Sequence, residues 1–301
     1  MGIILKIDNC FNIKKVEKSG ILLSLVLLLL GCSNQKKEND LTKSGLKGQV
    51  KTCIEFSYKA EKRFGKIEKG KRDRGGILIG YDFKTKYNKK GNETESNWYN
   101  SDGSLEEKYI YKYNEKGNLI EENWYHSDGS LETKTTYNYD DNGNKIKENC
   151  YNSDGSLKSK DIYKYDEKGN MIETSYYISS VGFIEKRTYK YDKEGRNIET
   201  NYFGSDKKLN VKYIYKYDKK GNKIEGKSYG SNGILYEKTT YKYDKRGNEI
   251  ERKTYFDGKT KSKFSYKWTY EYDEKGNWIK RIEFDNGTPT YILERDYEYY
   301  K

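Results

Sequence analysis

Few side chains in this 301-residue chain have the type and spacing that a catalytic site needs. The only histidine, His126, stands in a turn, at a position where two related segments carry Asn100 and Asn152. A general base must lie beside the group whose proton it takes, and no nucleophile is placed to match this one. We therefore interpret His126 as a turn residue and expect a protein that is not an enzyme and has no cofactor.

An acidic segment at positions 140–144, Asp-Asp-Asn-Gly-Asn, offers the oxygen ligands that calcium prefers. An EF-hand loop needs glycine at its sixth position, where this segment has Lys145. Related turns read Asp-Glu-Lys-Gly and place a cation where a ligand would stand. We therefore expect no metal site.

The strongest binding candidates are aromatic. Trp98 and Trp124 are 26 residues apart in equivalent positions, and Tyr109 and Tyr111 lie between them. One interpretation is a platform of exposed rings that stacks on the sugar rings of a polymer. The alternative is that the rings only pack against cross-strand neighbours, which contributes about 0.2–1 kcal/mol for each pair.

These residues belong to a repeat with a period of 26. A Tyr-x-Tyr-Asp/Asn-x-x-Gly-Asn phrase recurs along the chain, and a longer step of 29 reaches the last copy; its glycines are Gly91, Gly117, Gly143, Gly169, Gly195, Gly221, Gly247 and Gly276. A fixed period indicates one supersecondary unit that is copied along the chain. Such arrays are usually scaffolds or binding surfaces.

One repeat reads as a β-hairpin. Ser104–Tyr113 alternates apolar and charged residues, Asn118–Tyr125 is the return strand, and turn residues follow each strand. The array predicts an all-β fold, an antiparallel meander of about eight 26-residue β-hairpin repeats forming an extended or curled sheet of roughly 16 strands. A four-residue loop at 114–117 would pair Tyr111 with Ile120 and place Tyr and Ile on one face. A three-residue loop with a glycine bulge would separate them; we favour the first because it segregates Lys and Glu.

The N-terminus reads as an export signal. Lys14, Lys15 and Lys18 precede an apolar run from residue 21 to residue 30, which is too short for a permanent membrane span. The next residues, Leu29-Leu30-Gly31-Cys32, resemble a bacterial lipoprotein box. This resemblance implies cleavage after Gly31, lipidation of Cys32 and a membrane-anchored protein, and Ser33 favours the outer membrane. Surface exposure is left open.

Cys53 and Cys150 then remain in the exported chain. They could pair, but they lie in different repeats and the sibling repeats lack them. We expect each to be a small, half-buried residue.

The net charge of the chain limits the kinds of partner that it can bind. The chain carries +12, and residues 1–31 contain four lysines and two acids, so their removal leaves +10. Such a charge attracts nucleic acid, but Lys alternating with Glu disperses the field. We therefore expect nucleic acid to be excluded, and an unknown protein or an anionic glycan to be the partner. The oligomeric state is open.

A second resemblance rests on phrases such as Tyr-Lys-Tyr-Asp-Glu-Lys-Gly-Asn at 163–170 and Tyr-Lys-Tyr-Asp-Lys-Arg-Gly-Asn at 241–248. Over residues 85–285 the chain resembles the YD repeats of Rhs-type bacterial surface proteins. That family implies curling sheets of hairpins, sometimes closed into shells around a toxin, whereas this chain is short and has no toxin-like C-terminal domain.

The domain organisation follows. We expect a lipoprotein signal peptide at 1–31, a polar tether at 32–45 and a β-repeat domain at 46–301. That domain has an atypical first unit at 46–84, repeats at 85–285 and a C-terminal strand at 286–301. The function predicted is a lipid-anchored, non-catalytic interaction or structural module of the cell envelope. The alternative is a periplasmic envelope component or a toxin-neutralising immunity partner.

Overall fold

The computed structural model describes residues 39–73, 82–256 and 262–301, which form nineteen strands and one helical turn. The predicted signal peptide, its cleavage site at Gly31 and the lipidation site at Cys32 lie outside these residues. The elements are α1 (Asp40–Lys43), β1 (Val50–Arg63), β2 (Lys66–Arg72), β3 (Asp82–Tyr87), β4 (Glu93–Tyr99), β5 (Leu105–Tyr113), β6 (Leu119–His126), β7 (Leu131–Tyr139), β8 (Lys145–Asn152), β9 (Leu157–Tyr165), β10 (Met171–Ile178), β11 (Gly182–Tyr191), β12 (Asn197–Phe203), β13 (Leu209–Tyr217), β14 (Lys223–Gly230), β15 (Leu235–Tyr243), β16 (Glu249–Phe256), β17 (Phe264–Tyr272), β18 (Trp278–Asp285) and β19 (Thr288–Tyr299). No helix within the described ranges is long and apolar enough to cross a bilayer.

The strands form a closed barrel. From β3 onward each strand pairs antiparallel with the next, and β19 returns to pair with β1, which also pairs with β3. Eighteen strands close the ring, and β2 pairs with β1 alone. The all-β antiparallel meander is confirmed, but the extended or curled sheet is wrong. The atypical first unit and the C-terminal strand supply the two strands that meet, and closure removes both sheet edges.

The turns are three-residue loops with a glycine bulge, so the favoured four-residue loop is wrong. In the first complete repeat, the Asn114 amide donates to the Asn118 carbonyl at 2.9 Å, and the Gly117 amide donates to the Asn114 carbonyl at 2.9 Å. Gly117 has φ 74°, the left-handed region that glycine adopts without strain. A second irregularity then makes Tyr111 oppose Glu122 rather than Ile120. Tyr and Ile therefore do not pair across the hairpin.

The Tyr-Asp phrase has a structural explanation. The Asp166 side chain accepts a hydrogen bond from the Asn170 amide at 2.8 Å, which caps the turn. The Tyr165 hydroxyl donates to the Lys145 carbonyl of the preceding hairpin at 2.7 Å, beyond the point where the β8–β9 ladder ends. Each Tyr of this type thus joins its repeat to the one before; the equivalent pairs are Tyr139 to Leu119, Tyr191 to Met171, Tyr217 to Asn197 and Tyr243 to Lys223.

Side chains alternate between an inner and an outer wall. The wall that carries Cys53, Glu55, Tyr109, Trp124 and Cys150 is buried, with exposures of 0–6%. The other wall carries lysines whose side chains are 60–67% exposed; examples are Lys112, Lys164, Lys190 and Lys242. Because a closed barrel encloses one face of its sheet, we assign the buried set to the inner wall.

Residues 39–48, here named the strap, cross one end of the barrel. The Leu41 amide donates to the Gly91 carbonyl at 3.0 Å, and the Lys47 amide donates to the Asn277 side chain at 2.7 Å. Leu41 is 6% exposed and joins a small core with Leu46. The described part of the predicted tether is therefore folded onto the barrel, because its Leu41 and the adjoining Leu46 pack in an apolar cluster.

The two cysteines do not pair with each other. Cys53 is a free thiol, and burial raises its pKa to about 11. Cys53 and Cys150 are each 2% exposed, so both are more buried than the sequence suggested.

One turn departs from the glycine rule. Lys207 has φ 60°, at the position where sibling turns have Gly103, Gly129 and Gly155. A residue with a side chain costs about 1–2 kcal/mol of stability in the left-handed region, and glycine avoids this cost. Glycine recovers only part of it, because its greater freedom in the unfolded chain makes folding less favourable. We expect Lys207→Gly to raise the free energy of unfolding by about 0.5–1 kcal/mol, measured by urea denaturation. Lys208→Gly is the control, and an equal gain there would contradict the assignment.

Candidate functional site: an aromatic inner wall and a lysine-rich outer wall

The predicted aromatic residues come together on the inner wall. The rings of Tyr109 and Trp124 stack with centroids 6.1 Å apart and an interplanar angle of 7°, and Trp98 approaches Tyr109 at 6.0 Å. His126 continues the row, 5.9 Å from Trp124. The order arises because β5 lies between β4 and β6, with Ser96 opposite Tyr109 on one side and Trp124 on the other.

Burial decides what this aromatic row can do. Tyr109 is 5% exposed and Trp124 is 6% exposed, while Trp98 is half-buried. Tyr111 also lies on the inner wall, where burial, Glu93 and Glu122 raise its pKa well above the usual range. The row is therefore packed as part of the wall, and its role as a sugar platform remains a prediction.

A cluster of acids lies under the strap. The Asp40 carboxylate accepts hydrogen bonds from the Tyr113 hydroxyl at 2.8 Å and from the Glu93 amide at 3.0 Å. Burial, Asp40 and Glu122 raise the pKa of the Glu93 carboxyl to about 8. Glu93 is therefore largely protonated at neutral pH.

This shift predicts a pH dependence. The pKa of Glu93 is higher in the folded protein than in the unfolded chain, so folding takes up a proton between pH 4.5 and about 8. Stability should fall as the pH rises through that window. We expect Glu93→Gln to flatten this part of the profile and to raise the melting temperature at pH 8.

Glu121→Gln is the matched control for that experiment. Lys112 and Lys134 lower the pKa of Glu121 to about 2, so its contribution is present above pH 4.5 and is lost as the pH falls toward 2. The control should leave the slope between pH 4.5 and 8 unchanged. Equal slopes in the wild type and Glu93→Gln would contradict the assignment.

The outer wall carries a ladder of lysines and glutamates. Glu121 on β6 receives Lys112 from β5 and Lys134 from β7, each at 2.7 Å. The same arrangement recurs around the barrel with the glutamates Glu95, Glu173, Glu199, Glu225 and Glu251. Each glutamate faces two lysines. Lys227 is a third lysine beside Glu225, and Lys253 is a third beside Glu251. Positive charge is therefore concentrated on this wall, not dispersed as the alternation suggested.

Each glutamate of this ladder, with the lysines that flank it on the neighbouring strands, is here named a rung. One rung differs from the others. Lys147 replaces the glutamate of the rung and Asn138 replaces one of its lysines, since these residues follow Glu121 and Lys112 by one period. Lys147 is exposed and opposes Asn138 and Ile162, while the neighbouring Lys160 lies 4.9 Å from the centre of the Tyr177 ring. Sequence reasoning missed this site, although a comparison of the residues equivalent to Glu121 in all the repeats would have found it.

The remaining candidates have local roles. His126 is the last residue of β6 and not a turn residue; its Nε2 lies 2.9 Å from Glu132 and its side chain is 48% exposed. Asp140 accepts from the amide and side chain of Asn144 at 2.7 and 2.9 Å, so the acidic segment caps its own turn. Within the described ranges, no three His, Cys, Asp or Glu side chains are grouped to hold a metal.

Comparisons with known proteins do not assign the chain to a family. No protein-family model and no curated protein matches the chain. A porin-like protein from Bacteroides uniformis is similar at 10% identity, with a TM-score of 0.40 over 83% of this chain and 96% of that one. A porin-like protein from Bacteroides vulgatus has a TM-score of 0.38 at 10% identity over 83% and 99%.

The Tc holotoxin pore of Photorhabdus luminescens is also similar, at 12% identity and a TM-score of 0.31. The match covers 74% of this chain and 15% of the toxin chain. Scores this low do not establish a shared architecture, and function must be argued from the barrel itself.

Proposed function

We propose that the protein is a non-catalytic module of the cell envelope, anchored through lipidated Cys32, that binds anionic glycan polymer on its outer wall. The observation that carries the proposal is the ratio of two or more lysines to each glutamate in six rungs of the wall.

The geometry suits a polymer better than a small ligand. Rungs recur every second strand, so their lysines follow one another at about 10 Å around the wall. A chain of carboxylated or phosphorylated sugars presents regularly spaced negative charge along its length and would contact several rungs together. Lys147 is the strongest contact in this proposal, because no glutamate of its own rung competes for it.

The test uses polygalacturonate as the anionic polymer and dextran as the neutral one. We expect the polyanion alone to bind residues 33–301, with an affinity that falls as salt rises. Lys147→Glu restores the glutamate of the rung and should weaken binding by about tenfold, since it removes one phosphate- or carboxylate-type contact and adds a repulsion. Titration calorimetry at two salt concentrations measures both effects.

Lys89→Glu is the matched control. It makes the same change of charge at an exposed turn at the end of the barrel, away from the rungs. Equal losses of affinity in Lys147→Glu and Lys89→Glu would show that the effect comes from net charge alone. If the wild type does not bind the polyanion, the glycan proposal is wrong and a protein partner is favoured.

The anchor is tested separately. We expect Cys32→Ser to abolish acyl labelling and to release the protein from the membrane. Unchanged labelling would contradict lipidation at Cys32. Protease treatment of whole cells, with a lysed control, then distinguishes an external from a periplasmic barrel.

A further inference from the structure

Beyond Lys59, the β1–β2 hairpin pairs with no other described strand. β1 pairs with β19 as far as Lys59, and the next four residues, 60–63, pair only with 66–69 of β2. Four residue pairs extend about 13 Å at the strand rise. The hairpin stands at the end opposite the strap, the end that also carries the Ser-Asp-Gly turns.

The tip of this hairpin holds a phenylalanine in an unfavourable conformation. Phe64 has φ 47° and Gly65 has φ 80°, so both central residues of the turn are left-handed. Asn, Asp and Gly suit such a turn, and a phenylalanine does not. The ring is also fully exposed, at 105%. Folding stability explains neither the residue nor its exposure.

The surrounding rim is complementary to this tip. The tip is basic on balance, because Lys62, Arg63 and Lys66 outnumber Glu61, with which Arg63 pairs. Three successive turns on the same rim are acidic, at Asp102, Asp128 and Asp154, and hydrogen bonds from serines lower the pKa of the second and third. Farther around, Val181 is 69% exposed and Ile234 is 58% exposed.

We propose that two copies of the chain associate end to end through this rim, with Phe64 of each copy inserted among the acidic turns and apolar side chains of the other. A two-fold arrangement satisfies both tips at once, because each copy presents the same tip and the same acceptor. An anionic bilayer fits less well, because the acidic turns beside the tip would repel it.

Phe64→Asn separates association from folding. Asn prefers the left-handed turn, so the variant should melt no lower than the wild type while losing the ring. In sedimentation analysis of residues 33–301, which include every described strand, we expect a wild-type dimer at about 50 µM and an at least tenfold weaker Phe64→Asn dimer. Ile120→Asn, at the opposite end of the barrel, should leave the dimer intact.

A charge exchange makes the test specific. One chain carries Arg63→Glu and Lys66→Glu, and another carries Asp102→Lys, Asp128→Lys and Asp154→Lys. Each should be monomeric alone, because its tip and its turns carry charge of the same sign. Their mixture should form a heterodimer, because the acidic tip of the first chain meets the lysine turns of the second and the unchanged basic tip of the second meets the unchanged acidic turns of the first.

Three results would overturn the proposal. They are a wild type that stays monomeric at that concentration, a Phe64→Asn dimer of unchanged strength, and a charge-exchanged mixture that stays monomeric. Sedimentation of monomeric wild type with phosphatidylglycerol vesicles would assign the tip to a bilayer instead.

Discussion

Glu55→Ala should lower the free energy of unfolding by about 3–5 kcal/mol, the usual cost of leaving one member of a buried ion pair uncompensated. Glu55 is 0% exposed, and its carboxylate accepts from the Arg295 guanidinium at 2.7 Å across the β1–β19 pairing that closes the barrel. Arg295 also lies 3.8 Å from the centre of the Trp278 ring and cannot turn readily to solvent. Urea denaturation followed by tryptophan fluorescence measures the loss.

The same two strands supply the control. Lys51 and Glu298 also pair across the closure, at 2.6 Å, but their side chains are 47% and 58% exposed. Glu298→Ala should cost far less than Glu55→Ala, because solvent screens an exposed pair. Similar small losses for Glu55→Ala and Glu298→Ala would mean that Glu55 is not enclosed between β1 and β19.

Trp124→Ala should cost about 3 kcal/mol or more, because a buried indole leaves a cavity that the rigid wall cannot fill. The ring is 6% exposed and stacks on Tyr109. Thermal denaturation followed by circular dichroism checks this expectation, with Tyr236→Ala as the exposed aromatic control at 46% exposure. The control should cost well under half as much.

The same variant decides the status of the aromatic platform. A Trp124→Ala protein of near-normal stability that no longer binds polymer would show that the ring faces a ligand. A destabilised protein whose polymer affinity is unchanged after correction for folding would assign the row to the structure of the wall alone.

Much of the fold could be predicted from local chemistry. The 26-residue period, the strand alternation and the left-handed glycines all arise within one repeat, and the structure confirms the hairpins. The loop length was wrong because it depends on which backbone groups close the turn. Asp166 and its equivalents bond the amide of the following Asn, which favours the three-residue form.

Closure could not be read from the repeats. It depends on the irregular ends of the domain, where Glu55 and Arg295 are 240 residues apart in sequence and meet only in the folded chain. Likewise, the sequence placed Trp98 and Trp124 in equivalent positions of adjacent repeats but did not decide between exposed and packed rings. Which face of a sheet is buried is set by the curvature of the whole array.

The lysine-rich wall was missed for a related reason. In sequence, Lys alternates with Glu and the charges appear balanced. In the barrel, one glutamate such as Glu121 receives lysines from both neighbouring strands, so the ratio becomes evident only when strand order is known. Lys147, the exception in that column, was visible in the sequence but had no meaning before the column was assigned to a wall.

Nuclear Overhauser effects across the β1–β19 closure test the central claim most directly. In the closed barrel, Glu55 stands opposite Arg295 and Ser57 opposite Leu293. We expect cross-strand backbone effects for both pairs in deuterated protein, as strong as those between Tyr109 and Trp124 within one hairpin. Effects within the hairpin but none between β1 and β19 would show an open sheet and contradict the closed barrel.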